Sequence, residues 1–188
     1  MLALECDVRY CDSLKAAMKS TVDRFGGLDI LVINAGVHLE RRHVADSQPT
    51  DWRATVEINL VGAYYCAKAA IPYLQQRGAG KIIAIGSGAG HRGQPGNSAY
   101  ACSKAGLWML TRVLAQELWP HNISVNELIP GPVKTRMTTD AAGRLRSTFA
   151  ESEWLKTPED VVPLAMFLAT QPEVGPTAQS FSLMRRDN

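Results

Sequence analysis

The sequence lacks the features that would place it in several large classes of protein. Lys and Arg number 20 and Asp and Glu number 18 among 188 residues, so the net charge of +2 predicts no binding to nucleic acid or to an anionic membrane. Every apolar run is interrupted well short of the ~20 residues that a membrane-spanning helix needs. The first residues carry acids where a secretion signal needs a basic segment, so we expect a cytoplasmic protein.

Metal and disulfide chemistry has little support either. The four cysteines form no CxxC pair and the four histidines show no HExxH spacing, so we predict reduced thiols and no metal site. The cysteines are Cys6, Cys11, Cys66 and Cys102, and the histidines are His38, His43, His91 and His121. Hydrophobic residues at 46% and charged residues at 20% indicate an ordinary globular chain rather than a disordered one.

What is present is an alternation of short apolar runs with longer helical stretches. The predicted strands are 2–8 (the end of a strand), 29–33, 81–85, 123–129 and 178–184. The predicted helices are 12–25 with Asp12 as its cap, 51–76 with Pro72 near its end, 98–119, and 158–170 opened by Thr157-Pro158-Glu159-Asp160. This order predicts an α/β fold with a parallel sheet covered by helices on both faces. No linker or repeat divides the chain, so we expect one domain over 1–188.

Three polar residues form the strongest candidate site: Ser87, Tyr100 and Lys104. Tyr100 and Lys104 lie four residues apart on a predicted helix, so their side chains share a face. A nearby ammonium favours the phenolate and brings the phenol pKa of about 10 toward working pH. Ser87 follows the strand 81–85, at the edge where open parallel sheets present ligands. The set therefore indicates proton transfer to and from a substrate oxygen.

The Tyr-xxx-Lys spacing is not specific by itself. Tyr64 and Lys68 match it, but position 51, thirteen residues before Tyr64, is an aspartate with no strand ahead of it. We therefore interpret Tyr64 and Lys68 as helix-surface or interface residues.

Together with further motifs, this site resembles the short-chain dehydrogenase/reductase family. The motifs are Asp7-Val8, Asn34-Ala35-Gly36, Asn59 in EINLVGAYY, Ser87 in GSGAG, Tyr100 and Lys104 in YACSK, and PGPVKT at 130–135. The resemblance covers residues 1–170 and implies a doubly wound, mostly parallel, Rossmann-like domain. It also implies NAD or NADP as cofactor, an alcohol or ketone as substrate, and a homodimer or homotetramer formed through the helices 51–76 and 98–119.

The resemblance also implies a role for each matching residue. Tyr100 is the general acid/base, Ser87 polarises the carbonyl, and Lys104 lowers the pKa of the phenol and holds the nicotinamide ribose. Asn59 anchors a water that leads protons from Lys104 to solvent, although Asn34 and Asn59 also fit a turn and a helix distortion. The implied cofactor contacts are Asp7 and Val8 beside the adenine, Asn34, Ala35 and Gly36 where the backbone approaches the cofactor, and Pro130, Gly131, Val133 and Thr135 around the nicotinamide carboxamide.

The resemblance departs at both ends of the chain. A complete dinucleotide-binding fold begins with a strand, a Gly-rich turn and a helix, and nothing before Asp7 matches them, so about 50 residues are expected to be absent. The run 29–33 would then form an apolar edge. We favour a truncated or misstarted form of a full enzyme over a genuine short form, and expect these 188 residues to bind the cofactor weakly. The final QSFSLMRRDN lacks the usual Val-Asp-Gly-Gly-like turn but still allows a strand from Ser180 to Met184.

Alternatives remain at two levels. The favoured function is an oxidoreductase; a catalytically silent binding or scaffold subunit and a sugar-nucleotide epimerase are the others. GSGAG does not complete a Gly-x-Gly-x-x-Gly because position 91 is histidine, so we interpret it as the loop that carries Ser87. Two sets of residues have two interpretations each. Met137, Phe149 and Trp154 fit core packing or a lid, and His91, Arg92 and Gln94 fit a polar substrate site or a solvated loop.

Overall fold

The computed structural model describes residues 1–140, 142–144 and 153–184. The helices are α1 (Cys11–Phe25), α2 (Pro49–Val56), α3 (Gly62–Arg77), α4 (Ser98–Leu118) and α5 (Val162–Ala169). The strands are β1 (Ile30–Ile33), β2 (Gly80–Ile85), β3 (Ile123–Ile129) and β4 (Ser180–Ser182). A turn of π-helix, Glu57–Val61, joins α2 to α3.

The four strands form one parallel sheet in the order β1-β2-β3-β4. Helices α1, α3 and α4 belong to one face, and α5 packs against β2 and β3 on the other. Successive side chains of a strand point to opposite faces, so Ile82 and Val125 belong to the larger core while Ile83 and Leu128 meet Leu168 of α5. The predicted α/β fold, with a parallel sheet and helices on both faces, is confirmed.

Strand β1 differs from the other long strands. We predicted a strand over 29–33 that is covered on both faces, and this is wrong for one face: Leu31 and Ile33 are buried, whereas Ile30 is 39% and Val32 51% exposed. The reason is the placement of the helices, since α3 packs on β1 while α5 lies over β2 and β3. The edge position of this apolar strand is as expected.

The prediction of a strand end over residues 2–8 is wrong. This segment joins no ladder in the described part of the chain, and a strand is stable only with a paired neighbour. The chain turns instead, with the Tyr10 N–H donating to the Asp7 carbonyl at 3.1 Å, and enters α1. Tyr10, not Asp12, occupies the N-cap position, and α1 ends at Gly26, whose φ of 83° favours glycine.

Other boundaries differ by a few residues. The helical stretch predicted over 51–76 runs from Pro49 to Arg77 with the π-helical turn inside it, and α3 continues through Pro72. The stretch 158–170 begins as a tight 3₁₀ turn at Pro158–Val161, where the Thr157 N–H donates to Asp160 Oδ2 at 2.7 Å. Within the described ranges, no helix has the length and apolar character needed to cross a membrane.

Candidate active site

The candidate site lies where the parallel strands end. Asn34 follows β1, Ser87 follows β2 and Pro130 follows β3, so the fold brings these three segments to one edge of the sheet. Helix α4 begins beside this edge and carries Tyr100 and Lys104 in its first two turns. The sequence motifs that are far apart along the chain therefore meet in one place.

Ser87 and Tyr100 face each other. The Ser87 hydroxyl lies close enough to the Tyr100 phenol to affect its pKa, and the Ser87 Oγ accepts the Ala89 N–H at 3.2 Å, which fixes the hydroxyl at the start of a short turn. Burial raises the pKa of the Tyr100 phenol above its ordinary value, and the opposing effects of Ser87 and of the positive charge of Arg41 are smaller. The phenol is thus placed beside a hydroxyl with which it can share one small oxygen atom.

The Lys104 ammonium reaches the end of β2 beneath Tyr100. Its Nζ donates to the Ile85 carbonyl at 2.7 Å and lies 5.9 Å from the centre of the Tyr100 ring. Burial lowers the pKa of Lys104 to about 8, and the negative charge of Glu127 opposes this shift. That this ammonium lowers the pKa of Tyr100 stays a prediction, because burial keeps the pKa of the phenol raised.

Asn59 fixes the turn after β1 to helix α4. It lies in the π-helical turn and is 1% exposed. Its Oδ1 accepts the Val37 N–H at 2.7 Å, and its Nδ2 donates to the Val37 carbonyl at 2.9 Å and to Ser103 Oγ at 3.0 Å. Both N–H groups are therefore engaged by the protein, and the predicted water beside Asn59 stays a prediction.

Gly36 leaves the space between Asn59 and Lys104 open. A Cβ at this position would lie 3.4 Å from Asn59 Oδ1 and 3.8 Å from Lys104 Nζ. The backbone of the Asn34-Ala35-Gly36 turn is therefore accessible next to the ammonium, as a bound cofactor requires.

Asp7, Val8 and Ala35 are brought together around an open cavity of about 430 Å³. The cavity is also lined by four residues that sequence reasoning did not identify: Glu5, Cys6, Arg9 and Ile58. Arg9 pairs with Asp7 at 2.6 Å and holds the pKa of that carboxyl below its usual range. The cavity lies between Asp7 and the turn after β1, and the binding of a cofactor there stays a prediction.

The loop after β3 carries the remaining predicted cofactor residues, which are Pro130, Gly131, Val133 and Thr135. Gly131 has a φ of 70°, a conformation that favours glycine, and a Cβ there would lie 3.2 Å from Lys156 Nζ. Val133 pairs in parallel with Lys156, which is fully buried. The loop is thereby held by the segment that leads into α5.

Four charged or titratable residues near this edge were not identified as site residues from the sequence: His38, Arg41, Glu127 and Lys156. The ring of His38 stacks on Tyr100 with centres 4.5 Å apart, and burial lowers the pKa of His38 to about 4. One signal was available, because Glu127 is the single charged residue inside the buried run ISVNELI. The other three lie in irregular segments, where no periodicity indicates which side chains point to the site.

Several secondary predictions are settled by exposure. Tyr64 and Lys68 are surface residues as predicted, with the ammonium 3.3 Å from the Tyr64 hydroxyl and Tyr64 43% exposed. Arg92 and Gln94 are exposed, as a solvated loop implies. No cluster of three or more His, Cys, Asp and Glu fit for a metal ion occurs in the residues that the structure describes.

The segment after the β3 loop was interpreted either as core packing or as a lid, and the structure decides between them for one of its residues. Trp154 is 41% exposed, so core packing is the wrong interpretation for this residue. Met137 is half-buried, and its carbonyl accepts from Arg41 at 3.1 Å. Phe149 lies outside the described residues. A lid role for this segment stays a prediction.

The sequence matches known proteins over most of its length. The family model described as short chain dehydrogenase matches residues 1–145. The chain is 32% identical over 183 residues to a 3-oxoacyl-[acyl-carrier-protein] reductase of Synechocystis sp., covering 97% of this chain and 74% of the relative. It is 44% identical over 137 residues to trans-4-hydroxycyclohexanecarboxylate dehydrogenase of Sinomonas cyclohexanicum, covering 73% of this chain and 52% of that relative.

Solved structures share the fold. Carveol dehydrogenase from Mycobacterium avium, solved in complex with NAD, superposes with a TM-score of 0.85 at 28% identity, covering 96% of this chain and 72% of that one. ElxO with NADP bound gives a TM-score of 0.84 at 28% identity, covering 96% and 75%. With the family match and the relative of which three quarters is covered, the conclusion is that this chain belongs to the short-chain dehydrogenase/reductase family.

Proposed function

We propose that the protein is an NAD- or NADP-dependent oxidoreductase that interconverts a secondary alcohol and a ketone, with Tyr100 as general acid/base. The observation that carries this proposal is the meeting of a hydroxyl, a phenol and an ammonium at the end of β2, in Ser87, Tyr100 and Lys104. Relatives named as dehydrogenases and reductases support the reaction class, and neighbours solved with NAD and with NADP support the cofactor class.

Each of the three residues has a distinct task in the proposed reaction. In oxidation, the substrate hydroxyl hydrogen-bonds to the Ser87 Oγ and gives its proton to the Tyr100 phenolate. In reduction, the Tyr100 hydroxyl returns a proton to the carbonyl oxygen. Lys104 stays positively charged beneath the ring and keeps the phenolate accessible. The nicotinamide, when bound, supplies the hydride acceptor or donor.

The described residues fit such a cofactor. The cavity lined by Asp7, Val8 and Ala35 has room for a flat base, and the lack of a side chain at Gly36 leaves backbone open beside Lys104. We propose that Tyr100 and Lys104 bind the nicotinamide ribose. The loop residues Pro130, Gly131, Val133 and Thr135 would hold the carboxamide, and Asn34 would lie beside the nicotinamide ribose.

For the substrate we propose a cyclic secondary alcohol that bears a carboxylate. The relative with 44% identity is named for 4-hydroxycyclohexanecarboxylate, which has this chemistry. The positive charge of Arg41 acts on both Tyr100 and His38, so an anionic substituent near the reacting carbon would be favoured there. A 3-oxoacyl thioester is the second substrate class to test.

Pairing and location are part of the proposal. The exposed apolar side chains of Tyr64, Met109 and Val113 on α3 and α4 support a homodimer or homotetramer through these helices. All four cysteines are free, which supports a cytoplasmic location. We retain the proposal that a water beside Asn59 links Lys104 to solvent, since Asn59 and Lys104 flank Gly36.

A substrate panel with both cofactors tests the proposal, each cofactor being raised until turnover saturates because weak cofactor binding is expected of these 188 residues. We expect alcohol-dependent reduction of NAD or NADP with trans- or cis-4-hydroxycyclohexanecarboxylate, and a strong loss in Ser87→Ala. The matched control, Ser20→Ala on α1, should retain full activity. If no alcohol or ketone reacts, although the nucleotide binds and the chain self-associates, the alternative of a catalytically silent binding subunit replaces the enzyme.

A further inference from the structure

A carboxylate is buried behind the loop that carries Ser87. Glu127 has no exposed surface and lies in the middle of β3, in which all seven residues are buried. Burial of a carboxylate costs free energy unless it is hydrogen-bonded. Ser180 Oγ donates to Glu127 Oε2 at 2.6 Å, and His91 Nε2 lies 3.0 Å from the same oxygen. The carboxylate is therefore held by β4 from one side and by the loop after β2 from the other.

The carboxylate and the Lys104 ammonium contact the same peptide unit. Lys104 Nζ donates to the Ile85 carbonyl at 2.7 Å, and a Cβ on the next residue, Gly86, would overlap the Glu127 carboxylate. A side chain at position 86 would therefore force the Glu127 carboxylate to move. This peptide leads directly into Ser87, so Glu127 and Lys104 both lie against the segment that positions the hydroxyl of the proposed reaction.

We propose that Glu127 is a positioning residue: its buried negative charge keeps Lys104 protonated beside Tyr100, and its contact with His91 holds the loop that carries Ser87. This inference rests on the proposed function for its catalytic meaning. The electrostatic coupling between Glu127 and Lys104 is a property of the folded chain and is measurable without any substrate.

The charged and titratable groups around the pair are few. Tyr100 on the same helix and Glu127 from β3 face Lys104, together with the neutral groups of Gly36 and Asn59. Among the residues that the structure describes, His91 is the titratable group within hydrogen-bond distance of Glu127, and its ring also contacts Trp108 edge-on. Arg41 acts on Tyr100 from the other side.

This arrangement fixes the direction in which the pKa of Lys104 shifts when Glu127 is removed. Burial alone favours the neutral amine of Lys104, and Glu127 is the negative charge that opposes it. Removal of a negative charge lowers the pKa of every neighbouring group that binds a proton. Without Glu127, the coupled pair Tyr100 and Lys104 would therefore lose its protons at lower pH.

Titration of Lys104 by nitrogen-15 NMR in the cofactor-free chain tests the coupling. The signal is assigned with Lys104→Arg and followed in the wild type, in the isosteric Glu127→Gln and in Glu127→Asp. We expect a clearly lower pKa of Lys104 in Glu127→Gln and a value near that of the wild type in Glu127→Asp. An unchanged pKa in a folded Glu127→Gln variant overturns the proposal.

Two further variants guard against misfolding and against a merely structural role. Glu127→Met combined with Ser180→Ala replaces the buried bond by apolar groups, and it should lower the pKa of Lys104 as Glu127→Gln does. Ser180→Ala alone removes one hydrogen bond but keeps the charge, so it should leave the pKa of Lys104 near the wild-type value. Equal shifts in Ser180→Ala and Glu127→Gln would overturn the proposal, because packing rather than charge would then set the pKa.

Kinetics then connects the coupling to the reaction. In ketone reduction, the alkaline limb of the kcat/KM profile should move to lower pH in Glu127→Gln and return in Glu127→Asp. A shifted Lys104 titration with an unshifted kinetic limb overturns the catalytic role of Glu127. If no substrate reacts in any variant, the proposed function fails while the NMR result still decides the coupling.

Discussion

The centre of the sheet and its β1 side are built differently. All seven residues of β3 are buried, whereas β1 buries every second residue and exposes Val32. The residues proposed to transfer the proton belong to the buried side, where Lys104 is 4% exposed and hydrogen-bonded to β2. Asp7, which is proposed to contact the cofactor, is instead half-buried in an ion pair with Arg9. The difference suggests that substitutions at the centre affect both stability and chemistry, whereas those on the open side are tolerated.

The largest difference is expected between two tyrosines with the same Tyr-xxx-Lys spacing. Tyr100→Phe removes the proton donor and acceptor and should lower kcat about 10²- to 10⁴-fold, the usual range for a general acid/base. Tyr64→Phe removes an exposed hydroxyl and should leave kcat unchanged. The assay is turnover of the best substrate of the panel, with circular dichroism to show that both variants fold. Retained activity in Tyr100→Phe would remove this residue from the mechanism.

This pair also shows what a sequence alone can establish. The strand before Ser87 and the serine itself distinguished Tyr100 from Tyr64, and the exposure of Tyr64 agrees with that choice. The parallel sheet was predictable because its apolar runs and the helices between them each leave a local pattern. Whether helices cover one or both faces of a strand leaves no such pattern. The ILVI run of β1 is as apolar as the neighbouring strands, and Val32 is exposed only because α5 packs on β2 and β3 and not on β1.

The electrostatics of the site were less predictable than its motifs. His38, Arg41 and Lys156 meet the strand ends only through the tertiary fold, so their spacing along the chain carries no signal. Glu127 was visible as a charge inside an apolar strand. Its bonds to His91 and Ser180 depend on two segments that come from 36 and 53 residues away in the sequence.

A second pair of substitutions compares packing in the two regions. Leu74→Ala removes a side chain with no exposed surface and should lower the free energy of unfolding by about 2–5 kcal/mol. Val32→Ala removes a side chain that is half exposed on β1 and should cost less than about 1 kcal/mol. Urea denaturation followed by fluorescence measures both. Similar losses in the two variants would show that β1 is covered in solution, for example by a second copy.

A third pair compares two asparagines in the dehydrogenase motifs. Asn59→Ala leaves the half-buried Val37 N–H and carbonyl without their side-chain partner, which should cost about 1–3 kcal/mol of unfolding free energy. Asn34→Ala affects an exposed side chain and should change stability by less than about 0.5 kcal/mol. Thermal melts of the cofactor-free proteins separate this structural effect from any loss of cofactor binding. A neutral Asn59→Ala would mean that the turn after β1 is held mainly by other contacts.

The last comparison concerns a pH dependence at His38, which lies on the loop between the two regions. Burial lowers the pKa of His38 from 6.5 to about 4, so the folded state favours the neutral ring that stacks on Tyr100. The unfolded chain binds this proton more readily than the folded chain. The contribution of His38 to the free energy of unfolding is therefore fully present above pH 6.5 and is lost as the pH falls toward 4. Below about pH 4 the free energy of unfolding no longer changes through His38. Unfolding free energies of the wild type and His38→Gln, measured across this range, should converge toward pH 4. The carboxylate of Glu40, whose pKa is lowered to about 2 mainly by the Gln48 N–H, loses its contribution at lower pH and is common to both proteins. Parallel curves for the two proteins would show that the imidazole stays open to solvent and does not pack on the Tyr100 ring.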